Sequence, residues 1–177
     1  MRFIAIFISL FLIFYYGNIA FFSFTSHGKN YNAFFDEHLN YIRLLRHSLL
    51  HISKTIINWF GYNAISNDYQ LLVAGRGAID VIYSCLGLGI TSFFAAFVIT
   101  YPKNLKPKLI FLFGGIICIQ VLNVLRFVLL ALFWDKKSTV ILDHHTIFNI
   151  IIYVAIAISL YFWVKHDDKR SVSGAKN

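Results

Sequence analysis

Charge is scarce in this chain. Only 14% of its 177 residues are charged, with eight acids against sixteen Lys and Arg, where an average soluble domain carries about 25%. That shortage excludes a soluble enzyme and a chain disordered along its whole length. Cysteine is nearly absent as well. Two residues cannot make the disulfide framework of a small secreted module. No internal repeat or low-complexity stretch breaks the sequence. What is abundant is apolar: 58% hydrophobic and 18% aromatic, with 19 Phe, 10 Tyr and 3 Trp. These residues fall in long runs, so the chain reads as an integral membrane protein. Its net charge of +8 would suggest nucleic acid in a soluble protein. Here basic loops facing anionic headgroups explain it, so membrane lipid is the expected partner and nucleic acid is not.

A spanning helix needs about 20 mostly apolar residues. Four windows qualify: 3–24, 78–101, 109–134 and 146–164. The expectation is an all-α membrane bundle in a single domain over 1–177, with about four transmembrane helices. The first window is longer than a signal-peptide core and is not closed by an Ala-x-Ala-like site, so it reads as a retained anchor. Lys103, Lys106 and Lys108 in one short loop, and Lys165, Lys169, Arg170 and Lys176 in the 165–177 tail, place both termini in the cytoplasm by the positive-inside rule. The 25–77 segment and the 134–145 loop then face outward. The polar tail is expected to lack regular structure.

The outer segment has its own pattern. Phe35, Leu39, Ile42, Leu45, Leu49, Ile52, Ile56 and Trp59 recur every three or four residues, an apolar helical stripe. The spacing predicts an amphipathic helix over 34–60, with Arg43, Arg46, His47, His51 and Lys54 off the apolar face. Gly61 and Asn63 end it. Asn67, Asp68, Gly75 and Gly77 mark a loop into the second span.

Inside a span, the informative residues are the costly ones. A central Arg costs about 2.5–3.5 kcal/mol on insertion scales. Arg126 lies about eight residues from the outer end of the third span, roughly 12 Å deep. Gln120, Asn123 and Arg126 recur every three residues and share a face that lipid cannot satisfy. Cys85 lies about seven residues into the second span, at a similar depth. A cation beside a thiol stabilises the thiolate, and a helix N-terminus adds to this. Gly87 allows a close approach, and Ser84 is a further polar lining group. Cys118 is offset from Cys85 by roughly 13 Å along the bilayer normal, too far for a disulfide. Two free thiols are expected, Cys118 as inert packing. At the outer start of the fourth span stand His144, His145 and Asn149. His145 and Asn149 share a helix face that can look into the same cavity, while His144 can face the loop. His144, His145 and Asp143, or the His47/His51 pair, offer metal ligands but match no well-specified signature. No metal or other cofactor is expected.

A thiolate that attacks a carbonyl, a His that moves protons and an Arg that stabilises charge make an acyl-transfer set. Cys85-Leu-Gly, Asn123-Val-Leu-Arg126 and His145-Thr-Ile-Phe-Asn149 together resemble the exosortase/archaeosortase family over roughly residues 76–164. Leu86 stands where that family often has Ser, and Asn149 where it usually has Gly. The resemblance implies a membrane cysteine protease or transpeptidase. Its substrates would be exported proteins with a C-terminal sorting signal: a motif, a transmembrane helix and a basic tail. It implies Cys85 as nucleophile, Arg126 as essential arginine and His145 as the histidine, in the cytoplasmic membrane with the site outward. Two other readings compete. A non-enzymatic scaffold for surface protein or polysaccharide export would need the polar stripe but not Cys85. A small transporter would need polar lining through both leaflets, and the inner halves of the spans lack it.

Overall fold

The computed structural model describes residues 2–26, 31–133 and 144–174, with the side chains of α6 described over 149–165. The elements run α1 (Arg2–Thr25), α2 (Ala33–His38), α3 (Tyr41–Trp59), β1 (Ala64–Ser66), β2 (Gln70–Val73), β3 (Gly77–Asp80), a 3-10 turn (Tyr83–Leu86), α4 (Leu88–Thr100), α5 (Leu105–Phe133) and α6 (His144–Gly174). The architecture is the helical membrane protein expected. Two compact units emerge, Met1–Lys137 and Ser138–Asn177.

α1 and α5 are long and apolar enough to cross a membrane. They match the 3–24 and 109–134 windows closely. Their exposed residues are what lipid requires: Ile4, Ile8 and Ile13 on α1, and Ile110, Phe113 and Ile117 on α5. α1 packs along α4 through aromatic edges. Phe7 meets Phe93 at 5.4 Å and Phe97 at 5.9 Å between ring centroids, both nearly perpendicular, the geometry that ring quadrupoles favour. α4 also packs on α5. A Cβ on Gly115 would lie 2.1 Å from Phe94 Cζ, so only glycine admits that ring. Asn18 adds a polar tie within the span. It donates to Ser92 Oγ at 3.1 Å and accepts from the Tyr41 hydroxyl, joining α1 to α4 and α3.

The 78–101 window is not one helix. It contains most of β3, the 3-10 turn and then α4, which has 13 residues. At 1.5 Å per residue α4 is roughly 20 Å long, short of the ~30 Å hydrocarbon core. Gly87 marks the break, at φ +69°.

The outer segment also divides. The expected 34–60 helix breaks at Leu39, which caps α2, and restarts at Asn40, whose side chain accepts from the Arg43 amide at 2.8 Å as an N-cap. α3 is amphipathic, but its buried face is Ile42, Arg46, Leu49, Leu50, Ser53 and Ile57. Leu39, Ile52 and Trp59 of the expected stripe are exposed, Trp59 at 84%. The stripe is rotated because α3 packs against α5 and β1 along the 46–53–57 side. The expected loop after it is a three-stranded antiparallel sheet in the order β1-β2-β3, with Ala64 opposite Val73 and Leu72 opposite Ala78. The residues that signal turns do make turns. Asn67 Oδ1 accepts from the Tyr69 and Gln70 amides, and Gly75 sits at φ +78° between β2 and β3. Leu71 and Val73 point inward to join Leu49, Leu50, Leu86 and Phe127 in one core.

α6, described by itself, covers the 146–164 window and is apolar over Asn149–Lys165. It continues as helix to Gly174, through residues expected to lack regular structure.

Candidate active site

Cys85 lies in the 3-10 turn, its amide donating to the Ile82 carbonyl at 2.9 Å. The turn ends at Gly87, which caps α4. Cys85 therefore stands two residues ahead of the N-cap of α4, and the N-terminus of a helix, with its dipole and unbonded amides, favours negative charge. Its side chain is 5% exposed and belongs to the apolar core with Leu86 and Phe127.

α5 supplies the polar groups that meet this turn. Arg126, buried, donates from Nη2 to the Cys85 carbonyl at 2.8 Å. Phe127 offers its ring 5.2 Å from the guanidinium carbon. One turn earlier, buried Asn123 donates from Nδ2 to the Leu86 carbonyl at 3.4 Å and to Gln120 Oε1 at 3.2 Å. Residues three apart on α5 thus meet consecutive carbonyls of the turn. Gly87 is required twice over. Its φ is positive, and a Cβ would come 2.4 Å from Asn123 Nδ2. Ser84 is exposed beside Cys85.

The family model for transmembrane exosortase matches residues 33–163. The chain belongs to the transmembrane exosortase family. No curated protein and no solved structure matches it. The match takes in α3, the sheet, the Cys85 turn and the polar face of α5, so the outer segment belongs to the exosortase pattern along with the spans.

Within this family member the structure brings together Cys85, Asn123, Arg126 and Gly87. Asn149 lies near the start of α6. His144 and His145 are in the first turn of that helix, and their side chains lie outside the described residues, as does Asp143. Both cysteines are free. Cys118 is exposed on α5 rather than packed, because the early turns of α5 face outward. Among the described residues no cluster of three or more His, Cys, Asp and Glu is gathered to hold a metal ion. His47 lies 3.5 Å from Asp68 instead.

Two features escape the sequence reading. Asn18 is a lone polar residue in an apolar span, a signal of the same kind as Asn123. Arg46 is buried, although helical charge patterning places it on the wet face. It lies four residues from both Ile42 and Leu50 on the stripe that is buried, which the sequence pattern by itself does not single out.

Proposed function

We propose that this exosortase is a membrane cysteine transpeptidase. It cleaves the C-terminal sorting signal of exported proteins at the outer face of the cytoplasmic membrane, with both termini of the chain in the cytoplasm. The observation that carries this reading is the Arg126 guanidinium held against Cys85 at the start of α4. Two sources of positive potential there face the negative charge that develops on the substrate oxygen during acyl transfer.

In this mechanism the Cys85 thiolate attacks the scissile carbonyl and a C–S bond forms. Arg126 stabilises the oxyanion of the tetrahedral intermediate. The C–N bond then breaks, and the leaving amine takes its proton from His145 acting as general acid. The thioester passes to an acceptor nucleophile, whose proton returns to His145 as Cys85 is released. Asn123 and Gly87 hold the turn in register with α5. Ser84, His144 and Asn149 are the supporting residues of this reading.

The test is C-terminal peptide mass spectrometry of exported proteins from cells carrying wild type, Cys85→Ala or Cys118→Ala. A defined set of proteins should keep its C-terminal helix only with Cys85→Ala. The new C-termini in the other strains then give the cleavage motif and any attached acceptor. A non-enzymatic scaffold is the second reading, because Arg126 and Asn123 bond to backbone carbonyls in the way a helix lock would. Identical processing in all three strains would favour it.

A further inference from the structure

Arg46 is 7% exposed, yet no hydrogen bond or ion pair to it occurs among the described residues, and its Nε is buried with no partner. Its guanidinium carbon lies 4.1 Å from the centre of the Tyr69 ring. Burying a charge this way costs several kcal/mol unless something neutralises it. The side chain lines a cavity of about 200 Å³.

The acids nearby are engaged elsewhere. Asp68 pairs with Arg43 at 3.7 Å and His47 at 3.5 Å. Asp36 accepts from Asn40 Nδ2 at 2.6 Å and from the Tyr31 hydroxyl at 3.1 Å. Both carboxylates line the cavity, so they disfavour a ligand with two negative charges. A singly charged oxyanion suits the guanidinium, whose planar fork matches paired oxygens.

Position selects the source of that oxyanion. Phe22, Thr25 and Ser26 form one wall. They are the final turn of α1 and the residue after it, at the end of a helix long enough to span. The ends of spanning helices lie at headgroup level. α3 also exposes Leu44, Ile52 and Trp59 away from its buried stripe, as a helix resting on the lipid interface does. We propose that this cavity binds the phosphodiester of a membrane phospholipid, with Arg46 as its principal ligand.

The test is thermal unfolding of the full chain in non-ionic detergent, with added dihexanoylphosphatidylglycerol, dihexanoylglycerol or inorganic phosphate. The diester should raise the midpoint, and the uncharged diacylglycerol should not. Inorganic phosphate should need at least about tenfold more, given the rim acids. At a hundred times its Kd the lipid should raise the folded-to-unfolded ratio about a hundredfold. Arg46→Gln should remove the shift. Ser26→Glu, which brings a carboxylate of the protein's own to the cavity wall, should also remove it while raising the midpoint without lipid. That variant decides the matter if Arg46→Gln does not fold. A wild-type midpoint indifferent to the diester, or a shift that survives in these variants, overturns the proposal. Inorganic phosphate as potent as the diester overturns the lipid assignment. None of these readouts depends on peptide processing.

Discussion

Replacing Gly87 with Ala should damage the site without touching a reactive group. An L-residue held in the left-handed region pays roughly 1–2 kcal/mol, and Gly87 has φ +69°. The new Cβ would also lie 2.4 Å from Asn123 Nδ2, so the amide must swing away. It would then lose its bonds to the Leu86 carbonyl and Gln120. An unsatisfied buried amide costs about 1–3 kcal/mol. Together the loss is about 2–5 kcal/mol, or roughly 30-fold to a few thousandfold in the folded-to-unfolded ratio. Gly89→Ala is the control. Gly89 has no positive φ, and its added Cβ would sit 3.4 Å from the Tyr15 ring. Inside a helix, Ala is favoured over Gly by up to about 1 kcal/mol. It should be neutral or mildly stabilising. Denaturant unfolding in mixed micelles measures both variants. Cys85 alkylation in a Cys118→Ala background reports on the turn, because Cys85 is buried in the intact fold. If Gly87→Ala matches wild type in midpoint and in alkylation rate, the account of this turn is wrong.

Arg126→Lys should leave the protein inserted but lower processing at least about a hundredfold, because an ammonium cannot serve the Cys85 carbonyl and the thiolate as a planar fork does; full activity would reduce the role of Arg126 to charge alone. Gly115→Ala should destabilise by about 1–3 kcal/mol through overpacking, since the added Cβ meets the Phe94 ring at 2.1 Å, and a melting curve checks it. His145→Ala should abolish processing and His144→Ala should largely spare it; the opposite pattern moves proton transfer to His144.

Much of this exosortase is legible from composition. α1 and α5 follow from long, predominantly apolar runs, which a lipid environment accommodates. The meeting of Arg126 with Cys85 follows from counting residues inward from span ends. The outer sheet is harder to see. Its strands are three and four residues long, too short for alternation to stand out, and Asn67 and Gly75 reveal turns without revealing what they join. The orientation of α3 eludes a hydrophobic stripe for another reason. The helix has two apolar faces, one for protein and one exposed through Leu44, Ile52 and Trp59, and hydropathy alone does not say which is inside. Arg46 is hidden by the same ambiguity.

The broken second window and the polar face of α5 have one physical explanation. A carbonyl within a regular helix is already used by the amide four residues on, so it has little to offer an arginine. In α4 the first such bond runs from the Thr91 amide to the Gly87 carbonyl at 2.9 Å. The carbonyls of Cys85 and Leu86 lie ahead of that ladder and accept from Arg126 and Asn123 instead. Irregular backbone at membrane depth is tolerated only when protein buries and satisfies it. A buried arginine in a span likewise needs acceptors. Each anomaly therefore answers the other. A continuous helix through residues 85–88 would close those carbonyls into its own ladder and leave Arg126 to find acceptors elsewhere. Polar residues three apart in one apolar run, beside a glycine-rich break in the run before it, are on this argument a joint signature. They mark the point where a cysteine is placed at a helix N-terminus with a guanidinium beside it.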